Sequence, residues 1–298
     1  MFLGVYEILL TVLYMSDLHL ESQLLFTLRP HCEFRERNMV LDMIRSRLKG
    51  IFRAYVKSSA VLVVLAGDIS ANSMLSGIFI QALNEELRKT FGAGTAYRVI
   101  YTLGNHELWQ QDFIVNNTGY CFQFPNIKRA VSEYKRTCSC VILENEILLL
   151  DEGLKTIKSV SADTPLADIA LAASKARYII FGGIGFSALN PRYNAYTYPR
   201  LYANSISGMS EIKLSAKMSE LYDYITYLQS LKIISSYQSV ICVTHTAVSD
   251  WHRGTISPEI YHINGHTHKN VLDINNHVFS DNQIGYEPVK WQFKSFNI

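Results

Sequence analysis

The stretch "LYMSDLHLES", residues 13–22, shows a pattern that recurs along the chain: an apolar run stops at two polar residues, Asp17 and His19. The apolar part is typical of a buried strand. Residues two apart in an extended segment face the same side, so we expect these two side chains to point together from the strand end. A carboxylate beside an imidazole at such a place raises the question of what the two groups bind.

Four further runs predict strands of the same kind. They are "AVLVVLA" at 60–66, "YRVIYTL" at 97–103, "QSVICVT" at 238–244 and "EIYHIN" at 259–264. Between the first three strands, segments 35–59 and 76–91 repeat apolar residues every three or four positions, which predicts amphipathic helices. Alternating strands and helices indicate an α/β fold with parallel strands and right-handed crossovers.

The remaining segments extend this pattern to the end of the chain. Residues 141–150, "VILENEILLL", predict one strand or a hairpin arm, and 176–186 predict a strand that ends in a glycine-rich turn. Apolar spacing over 210–231 predicts one long helix, and short strands are expected after residue 270. No repeat or linker divides the sequence, so we expect residues 1–298 to form a single domain.

Composition narrows the class of protein. Hydrophobic residues make up 48% of the 298 residues and charged residues 18%, which is typical of a folded globular chain. The formal net charge is +2 without a basic cluster, so we expect no nucleic-acid surface, whereas a small anionic substrate fits. The apolar residues 1–17 are too few for a membrane span and lack a basic leader, so no membrane partner is expected.

The cysteines favour a reducing compartment. There are five, Cys32, Cys121, Cys138, Cys140 and Cys242, at irregular spacing. This odd number predicts no closed disulfide framework, and we therefore expect a cytoplasmic protein. Cys138 and Cys140 do not have the spacing of a zinc ribbon or a thioredoxin motif, so ordinary free thiols are favoured over a metal or redox pair.

Each of the five strands ends in groups that bind metals. The first is followed by Asp17 and His19, the second by Asp68, the third by Asn105 and His106, the fourth by His245, and the fifth by His266 and His268. Ligands collect beyond the carboxyl ends of parallel strands, so these groups should meet in one crevice. Imidazole with carboxylate and amide oxygen suits Mn²⁺, Fe²⁺, Co²⁺, Ni²⁺ or Zn²⁺.

The number of these groups indicates two ions. Asp17, His19, Asp68, Asn105, His245, His266 and His268 are too many ligands for one ion, and they suffice for two if a carboxylate bridges. Two ions about 3.5–4 Å apart stabilise the attacking and leaving oxygens of an in-line displacement at phosphorus. We expect two divalent ions, with Mn²⁺ favoured over Fe, Zn, Ni and Co.

The ordered motifs D-x-H, G-D, G-N-H-[DE], H and G-H-x-H, between Asp17 and His268, resemble those of the calcineurin-like metallophosphoesterase superfamily. The resemblance implies a four-layer α-β-β-α sandwich of two mixed β-sheets flanked by helices. It also implies that Asp17, His19 and His268 hold one ion, that Asn105, His245 and His266 hold the other, and that Asp68 bridges the two. His106 is implied to stand beside the substrate without binding metal.

The resemblance implies a hydrolase of phosphomonoesters or phosphodiesters. A hydroxide between the ions, held with the help of Asp68, would attack phosphorus in line while His106 assists the leaving group. The expected substrate is a small phosphorylated molecule, with nucleotides among the candidates. Two alternatives are a metal-dependent nuclease, disfavoured by the lack of a basic tract, and a non-catalytic scaffold, disfavoured by the complete ligand set.

Departures from other branches of the superfamily narrow the resemblance. Asp68 is followed by Ile-Ser-Ala-Asn and not by the V-D-R-G continuation of Ser/Thr protein phosphatases, which disfavours phosphoprotein substrates. His106 follows Asn105 where lipid-precursor pyrophosphatases carry Arg, and His245 is followed by Thr where many relatives carry a second His. The motifs are most similar to those of small bacterial phosphohydrolases and cyclic-nucleotide phosphodiesterase-like members.

Three features lie outside the motifs. Residues 186–202 interleave four tyrosines with Arg192 and Arg200, and a surface loop is favoured there over a loop that binds the leaving group. Residues 251–253, Trp-His-Arg, have the same two interpretations. His262 lies within the fifth strand, where a core or supporting histidine is favoured over an eighth ligand.

Overall fold

The computed structural model describes residues 10–24, 34–92, 94–108, 113–116, 119–122, 127–161, 163–183, 185, 206–273, 277–280, 283–287 and 289–298. The segment 186–202 and Cys32 lie outside these residues, as does the side chain of Cys121, so the expectations for them are not addressed.

The strands are β1 (Leu10–Met15), β2 (Ala60–Ala66), β3 (Ala96–Thr102), β4 (Phe113–Asn116), β5 (Gly119–Phe122), β6 (Val141–Leu143), β7 (Glu146–Leu150), β8 (Thr156–Val160), β9 (Tyr178–Gly183), β10 (Ser239–Thr244), β11 (Ile260–Ile263), β12 (Leu272–Asp273), β13 (Val278–Phe279) and β14 (Lys294–Asn297). The helices are α1 (Leu20–Leu24), α2 (Phe34–Leu48), α3 (Ser73–Phe91), α4 (Asn105–Leu108), α5 (Ile127–Thr137), α6 (Leu166–Ala173), α7 (Ile206–Ser230) and α8 (Val248–Trp251), with a short 3₁₀ turn at Arg53–Tyr55.

The strands form two mixed sheets and one separate hairpin. The first sheet has the order β14-β1-β2-β3-β6, in which only β14 is antiparallel to its neighbour. The second has the order β12-β13-β11-β10-β9-β7-β8, with parallel strands at its centre and antiparallel pairs at both ends. The hairpin pairs β4 with β5.

Strand periodicity explains why the sheets lie between helices. In β2, Val61 and Val63 pack with α2, α3 and α5, whereas Leu62 and Val64 face the second sheet. The second sheet repeats the arrangement: Ile180 faces the first sheet, and its neighbour Ile179 packs against α6 and α7. Burying one such side chain contributes about 1.5–3 kcal/mol, so both faces of each sheet stabilise the stack. The predicted four-layer α-β-β-α sandwich is confirmed.

Most of the predicted elements are confirmed. The five strands of the motif pattern are β1, β2, β3, β10 and β11, and the long helix expected over 210–231 is α7. The helix predicted within 35–59 ends at Leu48, and Gly50 has φ 73°, a left-handed conformation that suits glycine just after a helix. Among the helices described, none combines the length and apolar character that crossing a membrane requires.

The prediction of one strand or hairpin arm over 141–150 is wrong. The segment contains two strands, β6 in the first sheet and β7 in the second. Asn145 lies between them with φ 51°, so the chain turns there and passes from one sheet to the other. An apolar run in the sequence does not show where one strand ends and the next begins, because both halves are buried strands with the same composition.

Candidate metal centre

The carboxyl ends of five strands place the predicted ligands at one edge of the two sheets. Asp17 and His19 follow β1, Asp68 follows β2, Asn105 begins α4 after β3, His245 follows β10, and His266 and His268 follow β11. The two sheets pack face to face, so the ends of β1, β2 and β3 lie opposite those of β10 and β11. The structure thus brings all seven residues together, as their sequence pattern predicts.

One cluster consists of Asp17, His19 and His268. A ligand atom from each lies within 4.8 Å of the other two. His268 Nε2 is 3.3 Å from Asp17 Oδ1 and 3.1 Å from His19 Nε2. One carboxylate and two imidazoles therefore converge on a volume that a single cation can fill.

A second cluster consists of Asp68, His245 and His266, with Asn105 beside them. His245 Nε2 is 3.2 Å from Asp68 Oδ2 and 3.0 Å from Asn105 Oδ1. His266 Nδ1 is also 3.0 Å from Asn105 Oδ1. A third group of atoms within 4.8 Å joins Asp68 to His19 and His106, so Asp68 lies between the two clusters.

The hydrogen bonds of His245 test whether these groups fit a cation. Nδ1 of His245 is 2.8 Å from the carbonyl oxygen of Ala66, which only accepts, so Nδ1 carries the proton. Nε2 then faces two oxygens, Asp68 Oδ2 and Asn105 Oδ1. Lone pairs on three atoms repel unless positive charge lies among them, and a divalent ion meets that requirement. The donor set fits the metal that the sequence predicts.

The pKa values of the four predicted histidine ligands differ with their surroundings. Burial lowers the pKa of His19 to about 4 and that of His266 to about 4, so both rings are neutral at pH 7 and keep a lone pair. Burial also acts to lower the pKa of His245, but the Asp68 carboxylate outweighs it and raises that pKa to about 10. The hydrogen bond to Asp17 likewise raises the pKa of His268, so each carboxylate favours positive charge at the imidazole beside it.

Five of the seven predicted ligands have left-handed backbone conformations. The φ values are 52° for Asp17, 44° for His19, 54° for Asp68, 76° for His266 and 51° for His268. This region costs non-glycine residues about 1–3 kcal/mol each and is concentrated at functional sites. The strand ends therefore give up stability in order to direct these side chains into one place.

Glu107, a motif residue to which the sequence assigned no role, holds the loops of the first sheet. Its buried carboxylate accepts hydrogen bonds from the backbone of Asp68 (2.9 Å), Ile69 (2.6 Å) and Gly104 (2.8 Å), and from the Tyr101 hydroxyl (2.6 Å). Burial and the neighbouring Asp68 raise the pKa of Glu107 to about 8. A Cβ on Gly104 would collide with the Asp68 carboxylate, so the loops pack too closely for any other residue there.

His106 lies at the accessible side of the centre. Its backbone N–H donates to Asp68 Oδ1 at 2.9 Å, and its Nε2 is 4.0 Å from Asp68 Oδ2. The side chain is 26% exposed, whereas that of Asp68 is buried. The ring can therefore reach a molecule that enters from solvent.

Tyr286 contacts the centre although no sequence motif indicates it. Its ring stacks on His19 with centroids 4.1 Å apart, and its hydroxyl is 3.1 Å from His106 Nε2. It lies near the end of the chain among turn-forming residues, and only its spatial neighbours reveal the contact.

His252 and His262 are held by hydrogen bonds to neighbouring side chains, and the described cysteines are free thiols. His262 is buried with Nε2 3.1 Å from the Tyr222 hydroxyl, and His252 is buried with Nδ1 2.9 Å from Ser219 Oγ. Among the described cysteines, Cys138, Cys140 and Cys242 are free. Burial raises the pKa of the Cys138 thiol to about 12, so it remains protonated and unsuited to metal binding.

Most of the chain matches a known protein family. Residues 10–270 match the profile of the family described as calcineurin-like phosphoesterase. No curated protein matches.

Three solved structures are similar at low identity. Phosphopantetheinyl hydrolase from Mycobacterium tuberculosis is 16% identical, with 95% of this chain and 92% of that chain covered and a TM-score of 0.42. NAD nucleotidase from Haemophilus influenzae is 14% identical, with 87% and 38% covered and a TM-score of 0.35. A cold-active protein-tyrosine phosphatase of a psychrophilic Shewanella species is 14% identical, with 96% and 74% covered and a TM-score of 0.31.

Proposed function

The chain belongs to the calcineurin-like phosphoesterase family and is a phosphoester hydrolase, and from this premise we propose that it works with two divalent ions, Mn²⁺ foremost. The observation that carries the proposal is the place of Asp68, whose carboxylate lies within 4.8 Å of ligand atoms from both clusters. In this proposal Asp17, His19 and His268 hold one ion and Asn105, His245 and His266 hold the other. Asp68 bridges them.

The charges of the chain support binding of a phosphoester. Bound divalent ions lower the pKa of water to about 7 and neutralise charge on phosphate oxygens. Asp17 and Asp68 are the carboxylates of the two clusters, so two divalent ions leave the centre with net positive charge. Neutral His19 and His266 add ligands without adding charge. A phosphate anion would thus be attracted to the centre.

His106 is proposed to assist the leaving group. Its hydrogen bond from backbone N–H to Asp68 fixes the residue beside the centre, and its partly exposed ring faces the entrance. Proton donation to a leaving oxygen contributes about 10²–10⁴-fold to a rate. A group held in place and reachable by substrate meets the geometric requirement for that role.

The proposal also covers the substrate, the cellular compartment and the domain organisation. We infer that the substrate is a small phosphorylated molecule, a phosphomonoester or a phosphodiester, with nucleotides as candidates. The free thiols of the described cysteines support a reducing, cytoplasmic location. The proposal also takes residues 1–298 as one domain.

The experiment combines metal analysis with hydrolysis. The purified chain is loaded in turn with Mn²⁺, Fe²⁺, Ni²⁺ and Zn²⁺, and its activity is measured on p-nitrophenyl phosphate and bis-p-nitrophenyl phosphate. We expect two ions per chain and hydrolysis of at least one ester, and the preferred ester separates a phosphatase from a phosphodiesterase. One ion per chain, or no hydrolysis with any metal, would contradict the proposal.

A further inference from the structure

A C-terminal strap, residues 283–287, is bound to the segment that carries Asp17. The backbone N–H of Ile284 donates to Ser16 O at 3.1 Å, and that of Gly285 donates to Asp17 O at 2.7 Å. The buried amide of Gln23 donates to the carbonyl oxygens of Gly285 at 2.7 Å and Glu287 at 2.6 Å. The strap is therefore fixed on both sides of Tyr286.

This anchoring places Tyr286 over the entrance of the metal centre. One face of the ring lies on His19, nearly parallel at 20°, while half of the residue remains exposed. The hydroxyl reaches His106 Nε2 at 3.1 Å, the atom that must face a leaving oxygen if His106 assists departure. An oxygen that approaches this nitrogen thus also approaches the Tyr286 hydroxyl.

We propose that Tyr286 is a further catalytic residue, which forms with His106 a hydrogen-bonded pair that delivers a proton to the leaving oxygen. This inference rests on the proposed function. The bond from phosphorus to the attacking hydroxide oxygen forms as the bond to the leaving oxygen breaks, and the electron pair stays with the leaving oxygen. That oxygen takes the proton of the Tyr286 hydroxyl, and the phenol oxygen takes the proton on Nε2 of a protonated His106, which leaves a neutral imidazole.

The chemistry of the two groups suits this sequence of transfers. A phenol hydroxyl donates and accepts at the same oxygen, so it can pass a proton from one partner to another. The His106 side chain is 26% exposed, so the pair is accessible from solvent. Tyr286 lies beyond residues 10–270, which match the family profile.

Leaving-group dependence tests the pair. The substitution Tyr286→Phe removes the hydroxyl and keeps the ring that stacks on His19. Phenyl phosphate has a basic leaving oxygen that needs a proton, whereas p-nitrophenyl phosphate needs little help. We expect kcat/KM to fall about 10–100-fold for phenyl phosphate and less than about threefold for p-nitrophenyl phosphate. Metal content per chain should stay unchanged.

A double-mutant cycle distinguishes two residues that act as a coupled pair from two residues that act independently. If the proton passes through both residues, Tyr286→Phe in the His106→Ala background should have almost no further effect on phenyl phosphate. The imidazole ¹⁵N signal of His106 should also shift in metal-free Tyr286→Phe, because Nε2 loses a hydrogen bond. The matched control is Tyr237→Phe, which removes an exposed phenol bonded to Glu152 at the opposite end of the second sheet and should leave both activities unchanged.

The outcomes separate the inference from the function on which it rests. Equal losses on both esters, or independent additive effects of the two substitutions, would overturn the pair while the wild-type chain still hydrolyses phosphoesters. A wild-type chain that hydrolyses neither of these monoesters nor bis-p-nitrophenyl phosphate with any metal would overturn the proposed function itself.

Discussion

The two sheets contribute different chemistry to the metal centre. The first provides Asp17, His19, Asp68 and Asn105, which include both carboxylates and the amide; the second provides His245, His266 and His268, all imidazoles. The close contacts join one sheet to the other, as in His245 with Asp68 at 3.2 Å and His268 with Asp17 at 3.3 Å. The first sheet supplies both carboxylates and the second supplies three of the four imidazoles, so neither sheet forms the centre alone.

The two sets of loops are also held differently. On the first sheet the Glu107 carboxylate ties the loops after β2 and β3 together. On the second sheet the backbone N–H of Gly265 donates to His245 O at 2.8 Å, and that of His266 donates to the Asp17 carboxylate across the gap. The loops of the second sheet thus depend partly on the first, which predicts unequal effects when residues of the two sheets are changed.

Asp68→Asn should have the largest effect, because it removes the one carboxylate shared by both clusters. We expect both ions to be lost and turnover to fall below detection, a greater loss than the about 10²–10⁴-fold expected from removing a proton donor alone. Metal analysis and ester hydrolysis measure the two effects. Asp223→Asn, an exposed aspartate on α7, is the control and should retain both properties. An active Asp68→Asn protein would show that the bridge is assigned to the wrong residue.

His106→Ala should come next, because it affects the reaction and not the metal. We expect two ions per chain and a fall in kcat of about 10²–10⁴-fold. The same metal analysis applies, and turnover is measured with phenyl phosphate, whose basic leaving oxygen needs a proton. Loss of an ion would instead make His106 a ligand, as its proximity to His19 and Asp68 permits, and unchanged turnover would rule out its role at the leaving group.

The clustering of the candidate ligands can largely be predicted from the sequence, because these residues lie where strands end. A buried strand is recognisable from its apolar residues, and an Asp or His directly after it falls at the sheet edge whatever the details of packing. Asp17, Asp68 and His245 are each found in this way. The resemblance of the motifs to those of the metallophosphoesterase superfamily predicts the two-sheet arrangement. The parallel pattern of the first three strands agrees with that prediction.

The remaining features depend on contacts between distant parts of the chain. The strap reaches the centre through bonds such as Gln23 to Gly285, which are 262 residues apart, so no local pattern marks Tyr286. Glu107 lies in a recognised motif, but its five hydrogen-bond partners come from two separate segments, 68–70 and 101–104. The division of 141–150 between the sheets depends on which neighbour each half pairs with, and the two halves look alike in sequence.

Glu107→Gln should have a smaller effect, on stability. The amide nitrogen of Gln cannot accept, so two buried backbone N–H groups, those of Asp68 and Gly104 in one orientation, lose their acceptor. Each unsatisfied group costs about 1–3 kcal/mol, and we expect the free energy of unfolding to fall by about 2–4 kcal/mol. Urea denaturation of the metal-free protein measures this.

The control for that prediction is Glu85→Gln, for which we expect the smallest change in the free energy of unfolding. Glu85 pairs with Arg45 on the surface at 2.7 Å, and exposed pairs contribute about 0–1 kcal/mol. If both substitutions lower the free energy of unfolding equally, the Glu107 hydrogen bonds do not hold the first-sheet loops as inferred.

The most direct test of a centre shared by two sheets is anomalous diffraction from crystals of the Mn²⁺-loaded protein. The account predicts two manganese peaks about 3.5–4 Å apart, one beside His19 and His268, the other beside His245 and His266, with Asp68 bound to both. A single peak, or two peaks of which only one contacts Asp68, would contradict it.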